Sequence, residues 1–403
     1  MTVNAENCTK KALIAHLFRR AGFGITFDEL ADYLPIDYGD IVEQLLYPEL
    51  QPELDQDVVR RYNIDQNSLM LIESSQANWM YRIINTKRPL EEKMALFWHD
   101  LFATAYSKLN HAKAVVNQTD TFRRCGLGNF RTLLLELSRD PAMIFWLDNK
   151  DNHKGSPNEN YGRELLELFS LGIGNYSEED VKACAKAFSG WTIANSVYMS
   201  ERASRDSIWP HGRLDWQFVY MPEDHDDSDK TFLGQTGRFN GDDVIDIIVD
   251  NPATSWFIAS KLYSFFVSDK PDESVIQYLS QEFSKTGGDI RKVMRSLFLS
   301  ETFASDKTRL ARVKSPAELV AGTAKLAGSH SFPDWTTVNL AMDANFMGQE
   351  ILNPPTVEGW HTGIEWIDTG NLVERINSTA LEIGDTQQPG VRSIINKVRT
   401  HGG

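Results

Sequence analysis

The chain has 403 residues, 41% apolar and 24% charged, a balance that suits a globular fold with a sizeable core and argues against a largely disordered chain. Its 56 acidic residues outnumber its 41 lysines and arginines, for a net charge of −15, which speaks against nucleic acid and anionic membrane surfaces as partners. Cys8, Cys125 and Cys184 form no CxxC pair, so this is not a disulfide scaffold.

Helical periodicity dominates the chain. The first segment, TKKALIAHLFRRAG, sets Leu13, His16, Leu17 and Arg20 at helical spacing, with Thr9 as N-cap and Gly22 as stop. DYGDIVEQLLY reads as a short amphipathic helix. SLMLIESSQANWMYRIINT and PLEEKMALFWHDLFATAYSKL read as long helices, the second opening at Pro89. NFRTLLLELSRD, PAMIFWLDN and a helix–turn–helix over NENYGRELLELFSLGIGNYSEEDVKACAKAF follow. Residues 192–241 lack a helical period; within them WQFVYM is strand-like and the flanks are rich in turn residues. Further helical segments then run from DDVIDIIVD to SPAELVAGTAKLAG, before the irregular aromatic stretch LNPPTVEGWHTGIEWIDTG. The expected fold is all-α: one large multi-helix domain over 1–403, with an irregular, partly β-hairpin insertion at 192–241.

The helix expected over Asn158–Leu171 poses the functional question. On a wheel at about 100° per residue, Asn160, Arg163, Glu164 and Glu167 share an arc of about 100°, opposite Leu165, Leu168 and Phe169. Arg163 and Glu167 are spaced for an ion pair. An amide, a guanidinium and two carboxylates on one face can share protons, clamp hydroxyls or hold a hard cation, where a plain solvated face would use Lys and Glu alone. Ser177 is the expected cap of the second helix, with Asp180 closing a capping box.

His99 lies among apolar residues on its helix. It is either a satisfied core side chain or an acid/base group at a cleft. The loop DHDDSDKTFLG offers His225, Lys230 and four aspartates without the EF-hand spacing. Trp191 and Trp360 stand beside loops, as core filling or as platforms for a ligand. HExxH, P-loop, GxSxG and paired ExxH motifs are all missing.

In order along the chain, HLFRRAGFG, FWHDLFAT, NENYGRELLELFSLGIGNYSEEDV, AFSGWT, HDDSDKTFLG, NPATSWFIASKL, SPAELV and NPPTVEGW resemble the bacterial domain-of-unknown-function family numbered 1800. The resemblance covers nearly the whole chain. It implies a large, mainly helical protein, often exported, whose gene often lies beside one for a sulfatase-like family, a hint at a functional partner and at envelope or extracellular polymer chemistry. The family motif residues correspond here to His16, Arg19, Arg20, His99, Asn158, Glu159, Asn160, Arg163, Glu164, Glu167, Trp191, His225, Lys230 and Trp360. Leu101 stands where many relatives carry a second histidine, and His361 where many carry proline. The first residues lack the apolar stretch of a signal peptide, and no apolar run approaches the roughly 18 residues of a membrane span, so the chain as given reads as cytoplasmic.

Together these features point to a hydrolase-like or transferase-like enzyme acting on a polar, glycan-like or anionic substrate. Glu164 and Glu167 are the expected acid/base pair, with His99 and His225 relaying protons. Arg20, Asn158, Asn160, Arg163, Lys230, Trp191 and Trp360 are the expected substrate contacts, and a divalent cation is compatible with the acids. The rival expectation is a non-catalytic envelope binding or scaffold protein whose polar helix is a closed structural network. The catalytic reading expects Arg20, His99, Glu164, Glu167 and His225 to gather around one cavity.

Overall fold

The structure, a computed structural model, describes residues 2–62, 71–194 and 216–401, without the side chains of 2–9, 56, 60, 62 and 401. The described residues are mostly helical, with two small antiparallel sheets of two strands each, so the fold is all-α with a small β insertion. Twelve helices lead to the first sheet: α1 (Thr2–Arg20), α2 (Phe27–Tyr33), α3 (Tyr38–Leu46), α4 (Gln56–Tyr62), α5 (Ile72–Asn85), α6 (Pro89–Leu101), α7 (Tyr106–Leu109), α8 (Ala112–Cys125), α9 (Phe130–Ser138), α10 (Pro141–Trp146), α11 (Asn160–Glu167) and α12 (Glu178–Ala187). Helices from Gly241–Asp250 through Pro389–His401 follow. α1 begins before Thr9, so that residue lies inside the helix and not at its start.

Strands β1 (Trp191–Ile193) and β2 (Phe218–Tyr220) pair antiparallel with Thr192 opposite Val219, which places the strand-like WQFVYM segment in a two-stranded sheet. Residues 195–215 of the expected insertion lie outside the described residues. A hairpin joins β3 (Lys230–Phe232) to β4 (Gln235–Gly237), turning through Leu233 and Gly234, both at positive φ.

α6 organises the core. Leu90, Met94, Ala95, Leu96, Phe97 and Trp98 are buried on several sides of it, as expected of a helix enclosed by its neighbours. α3, α5 and α8 pack against it. Yet this helix carries Glu92, Lys93 and His99 into the interior. Heptad spacing puts Glu92 and His99 on one face and Lys93 and Asp100 on the next.

The reading of residues 89–109 as one helix is corrected. The helix ends at Leu101, and Phe102 leaves the α region at φ −107 and ψ 52. Tertiary contacts dictate the break. The Tyr106 N–H donates to the Leu352 carbonyl at 3.1 Å, and the backbone of Gly359, at φ 88, lies against Asp100 so closely that a Cβ there would collide with the Asp100 carbonyl. Only glycine fits that approach.

α11 is likewise shorter than the expected Asn158–Leu171. Asn158 accepts from the Asn160 N–H at 3.0 Å at its start, and the Leu171 and Gly172 N–H groups fold back onto the Leu166 carbonyl at its end. α12 starts at the expected capping box: the Ser177 and Asp180 side chains each accept from the other residue's backbone N–H. Cys125 and Cys184 are buried free thiols.

Candidate active site

Two clefts flank α6, one beyond each end. The cleft at its C-terminal end has a volume of about 530 Å³ and is lined by Leu101 of α6, Leu168 just after α11, Lys261, and the loop from Pro355 through Glu365 that carries Glu358, Trp360 and His361. The break after Leu101 creates this cleft, because the Thr356–Trp360 turn docks where a longer α6 would have continued. The Trp360 N–H donates to Asp100 Oδ1 at 3.0 Å.

Glu164 lies one turn before Leu168. Its carboxyl is raised above the ordinary range by burial and by the neighbouring charges of Glu167 and Glu358, against the pull of Arg163. Asp100 is pushed up to about 6, chiefly by burial and against the Trp360 N–H and Lys261. Glu167 is fixed in place: the Tyr176 hydroxyl donates to its Oε2 at 2.5 Å. The acids that line the cleft are Glu358 and Glu365; Asp100, Glu164 and Glu167 are not among its lining residues, and Asp100 and Glu164 are held above their usual range. A carboxyl held above its usual range is better suited to donate a proton than an ordinary one.

The other expected site residues are distributed elsewhere. Arg163 does not pair with Glu167. It makes a two-pronged bridge to Glu178 of α12, both bonds at 2.7 Å, and a longer contact to Glu159, so it ties the helix hairpin together. Gly162 allows that hairpin to close, since a Cβ there would come within 3.2 Å of the α12 backbone. Asn158 and Asn160 reach back to the Asp148 carbonyl and carboxylate at 3.4 Å each.

His99 is fully buried between the rings of Trp79 and Trp360, at centroid distances of 5.6 and 5.3 Å, and neither of its nitrogens has a protein partner. Burial, with help from Arg123, lowers it to about 3, so the ring is neutral at physiological pH. It supports Trp360 from beneath and does not line the cleft.

His225 is also buried. Its Nδ1 is bonded to the Ser189 carbonyl at 3.0 Å, while the Ser189 hydroxyl accepts the Asp226 N–H at 2.8 Å. The Lys230 ammonium turns inward to the carbonyls of Asp226 and Ser228. These two side chains fold the 225–230 loop onto the end of α12. Trp191 packs in an aromatic group with Phe188 and Phe218, and the Arg139 guanidinium sits over its ring at 5.3 Å.

Arg20 belongs to a third place. It donates to the Thr308 carbonyl at 3.2 Å, and burial beside Arg312 lowers it to about 10. Nearby, Glu318 accepts from Lys93, from Arg312 at 3.1 Å and from the Ser315 N–H at 2.8 Å. The expected convergence of Arg20, His99, Glu164, Glu167 and His225 on one cavity is therefore replaced by one cleft and separate buried networks. The reason is that Arg20, His225 and Lys230 spend their polar atoms on backbone carbonyls.

Sequence reasoning missed Asp100, Lys261 and Glu358. Asp100 was legible as the neighbour of His99, and Glu358 as the acid of the NPPTVEGW motif. Lys261 carried no local signal. Among the described residues no three His, Cys, Asp or Glu side chains are grouped as a ready metal site.

Fold and site define a mainly helical protein with a polar cleft, carrying Glu358, Glu365, Lys261 and His361, at the broken end of its central helix. The model of the family DUF1800, described as a protein of unknown function, matches residues 16–400, and the chain belongs to that family. No curated protein and no solved structure matches it.

Proposed function

We propose that the protein is a hydrolase-like or transferase-like enzyme that performs acid–base chemistry on a polar, glycan-like or anionic substrate in the cleft between α11 and the 355–365 loop. The observation that carries this reading is the partly buried position of Glu164 beside Glu167 and Glu358: burial first, and these acidic neighbours next, hold its carboxyl above the ordinary range. In this reading Glu164 donates the proton to the leaving group. Glu358, on the cleft wall, is the partner that accepts a proton from the attacking hydroxyl or water. Lys261 binds negative charge on the substrate, and Asp100 holds the Trp360 turn in place.

The test is release of new ends from a panel of neutral, acidic and sulfated oligosaccharides. Wild type is expected to turn over at least one of them, and Glu164→Gln to lower kcat by about 10²–10⁴-fold with little change in KM. Turnover that survives Glu164→Gln would overturn the assignment.

The rival reading, a binding or scaffold protein, draws support from the internal pairing of Arg20, Arg163 and Lys230. It expects no turnover of any panel member.

A further inference from the structure

The second cleft, of about 550 Å³, opens beyond the N-terminal end of α6. In a chain of net charge −15, five arginines converge on it: Arg82, Arg88, Arg123, Arg124 and Arg291. Nothing in the proposed acid–base chemistry uses them.

The depth of the charges decides what this cleft attracts. Its acids Glu49, Glu53 and Asp120 have side chains 52%, 74% and 61% exposed, so water screens them. The Arg82, Arg88 and Arg123 side chains are only 20%, 15% and 9% exposed and form the floor. Glu91 is the one acid at comparable depth, and burial next to Glu92 pushes it up to about 7, which weakens its opposition to an incoming anion.

Two of the floor guanidiniums are pre-positioned. Beneath them the fully buried Glu92 accepts from Arg82 Nε at 2.9 Å and from Arg123 Nε at 2.9 and 3.0 Å, while Trp79 Nε1 holds the same carboxylate at 2.9 Å. Because each arginine is anchored through its Nε, the terminal amino groups of Arg82 and one terminal amino group of Arg123 remain for a ligand at the cleft. Arg88, by contrast, spends its nitrogens on the Gln51 carbonyl and Glu53. Guanidiniums fixed by a buried carboxylate suit planar, two-pronged recognition of oxyanions.

We propose that this cleft is a binding site for a phosphate or sulfate group, held by Arg82 and Arg123 on their shared Glu92 anchor. The site stands apart from the polar cleft: the thirteen residues of α6 between them span about 20 Å. It therefore holds a separate ligand or a remote anionic group of a long one.

The experiment is calorimetric titration of the full chain with inorganic phosphate and inorganic sulfate against chloride at matched ionic strength, followed by phenyl phosphate and phenyl sulfate. Saturable binding is expected with both inorganic ions, and the tighter of the two phenyl esters identifies the group. Arg82→Gln is expected to weaken binding at least about tenfold. That variant leaves Glu92 paired with Arg123, so the fold is expected to survive. Lys285→Gln, at an exposed lysine that lines neither cleft, is expected to leave anion binding unchanged. A rise in melting temperature of wild type with added sulfate gives a second readout that needs no variant. Absence of saturable binding up to about 10 mM, or binding of equal strength in wild type and Arg82→Gln, overturns the proposal. Failure of the oligosaccharide assay has no bearing on it.

Discussion

Glu92→Gln is expected to destabilise the protein by about 3–5 kcal/mol, because the substitution leaves two deeply placed guanidiniums facing a neutral amide. Burial alone would raise this carboxyl, but Arg123 and Arg82 outweigh burial and hold it at about 2. The sign of the pH dependence follows. A folded-state pKa below the unfolded one means that the unfolded chain binds the proton first as pH falls. The stabilisation is therefore complete above the ordinary glutamate range and disappears as pH drops toward about 2. Urea unfolding of wild type and Glu92→Gln at pH 7 and at pH 3 checks both points. The gap between the two proteins should be wide at pH 7 and narrowed at pH 3. A gap independent of pH would show that packing, not charge, sets the effect.

Glu318→Gln is the second large effect, again about 3–5 kcal/mol at neutral pH. Glu318 caps its own helix through Ser315 and neutralises Lys93 and Arg312, which are 0% and 7% exposed. Arg312 and Lys93 hold the carboxyl far below its ordinary range against the effect of burial. Lys93 itself is lowered to about 8, because burial outweighs the attraction of Glu318. The two ends of the pair therefore differ in consequence. Removing the acid strands two cations. Lys93→Met removes one cation and leaves Glu318 still matched by Arg312, so it should cost clearly less than Glu318→Gln. Equal losses for the two variants would contradict the network described here.

Much of this was legible in the sequence, and the part that was not has a common cause. Helical periodicity, the Ser177–Asp180 capping box and the strand within WQFVYM are local signals, and local geometry honours them. The end of α6 at Leu101 is not local. FWHDLFATAYSKL keeps a helical pattern, and the chain departs from it because Gly359 and Leu352, some 250 positions later, dock there. The same long-range contact brings Glu358 near Glu164. Arg163 offers a smaller case: Glu167 was its expected i+4 partner, but Glu178 presents both oxygens across the hairpin and Tyr176 takes up Glu167. Lone polar residues such as Arg20, His225 and Lys230 look alike in sequence whether they meet a ligand or a backbone carbonyl.

The central claim is that the Glu164 face of α11 serves a cleft and not the scaffold. Thermal unfolding of Glu164→Gln and Glu167→Gln beside wild type at pH 7, with Glu92→Gln as the reference for a true structural acid, tests it most directly. Glu164 has a raised folded-state pKa, so its contribution is fully present only below the ordinary glutamate range and is lost as pH rises through the raised value. Wherever this carboxyl is ionised its charge opposes the fold, and a neutral amide removes that opposition. The expected result is an unchanged or higher melting temperature for Glu164→Gln and a small change for Glu167→Gln, whose amide oxygen can still accept from Tyr176. A fall in both variants comparable to that of Glu92→Gln would contradict it.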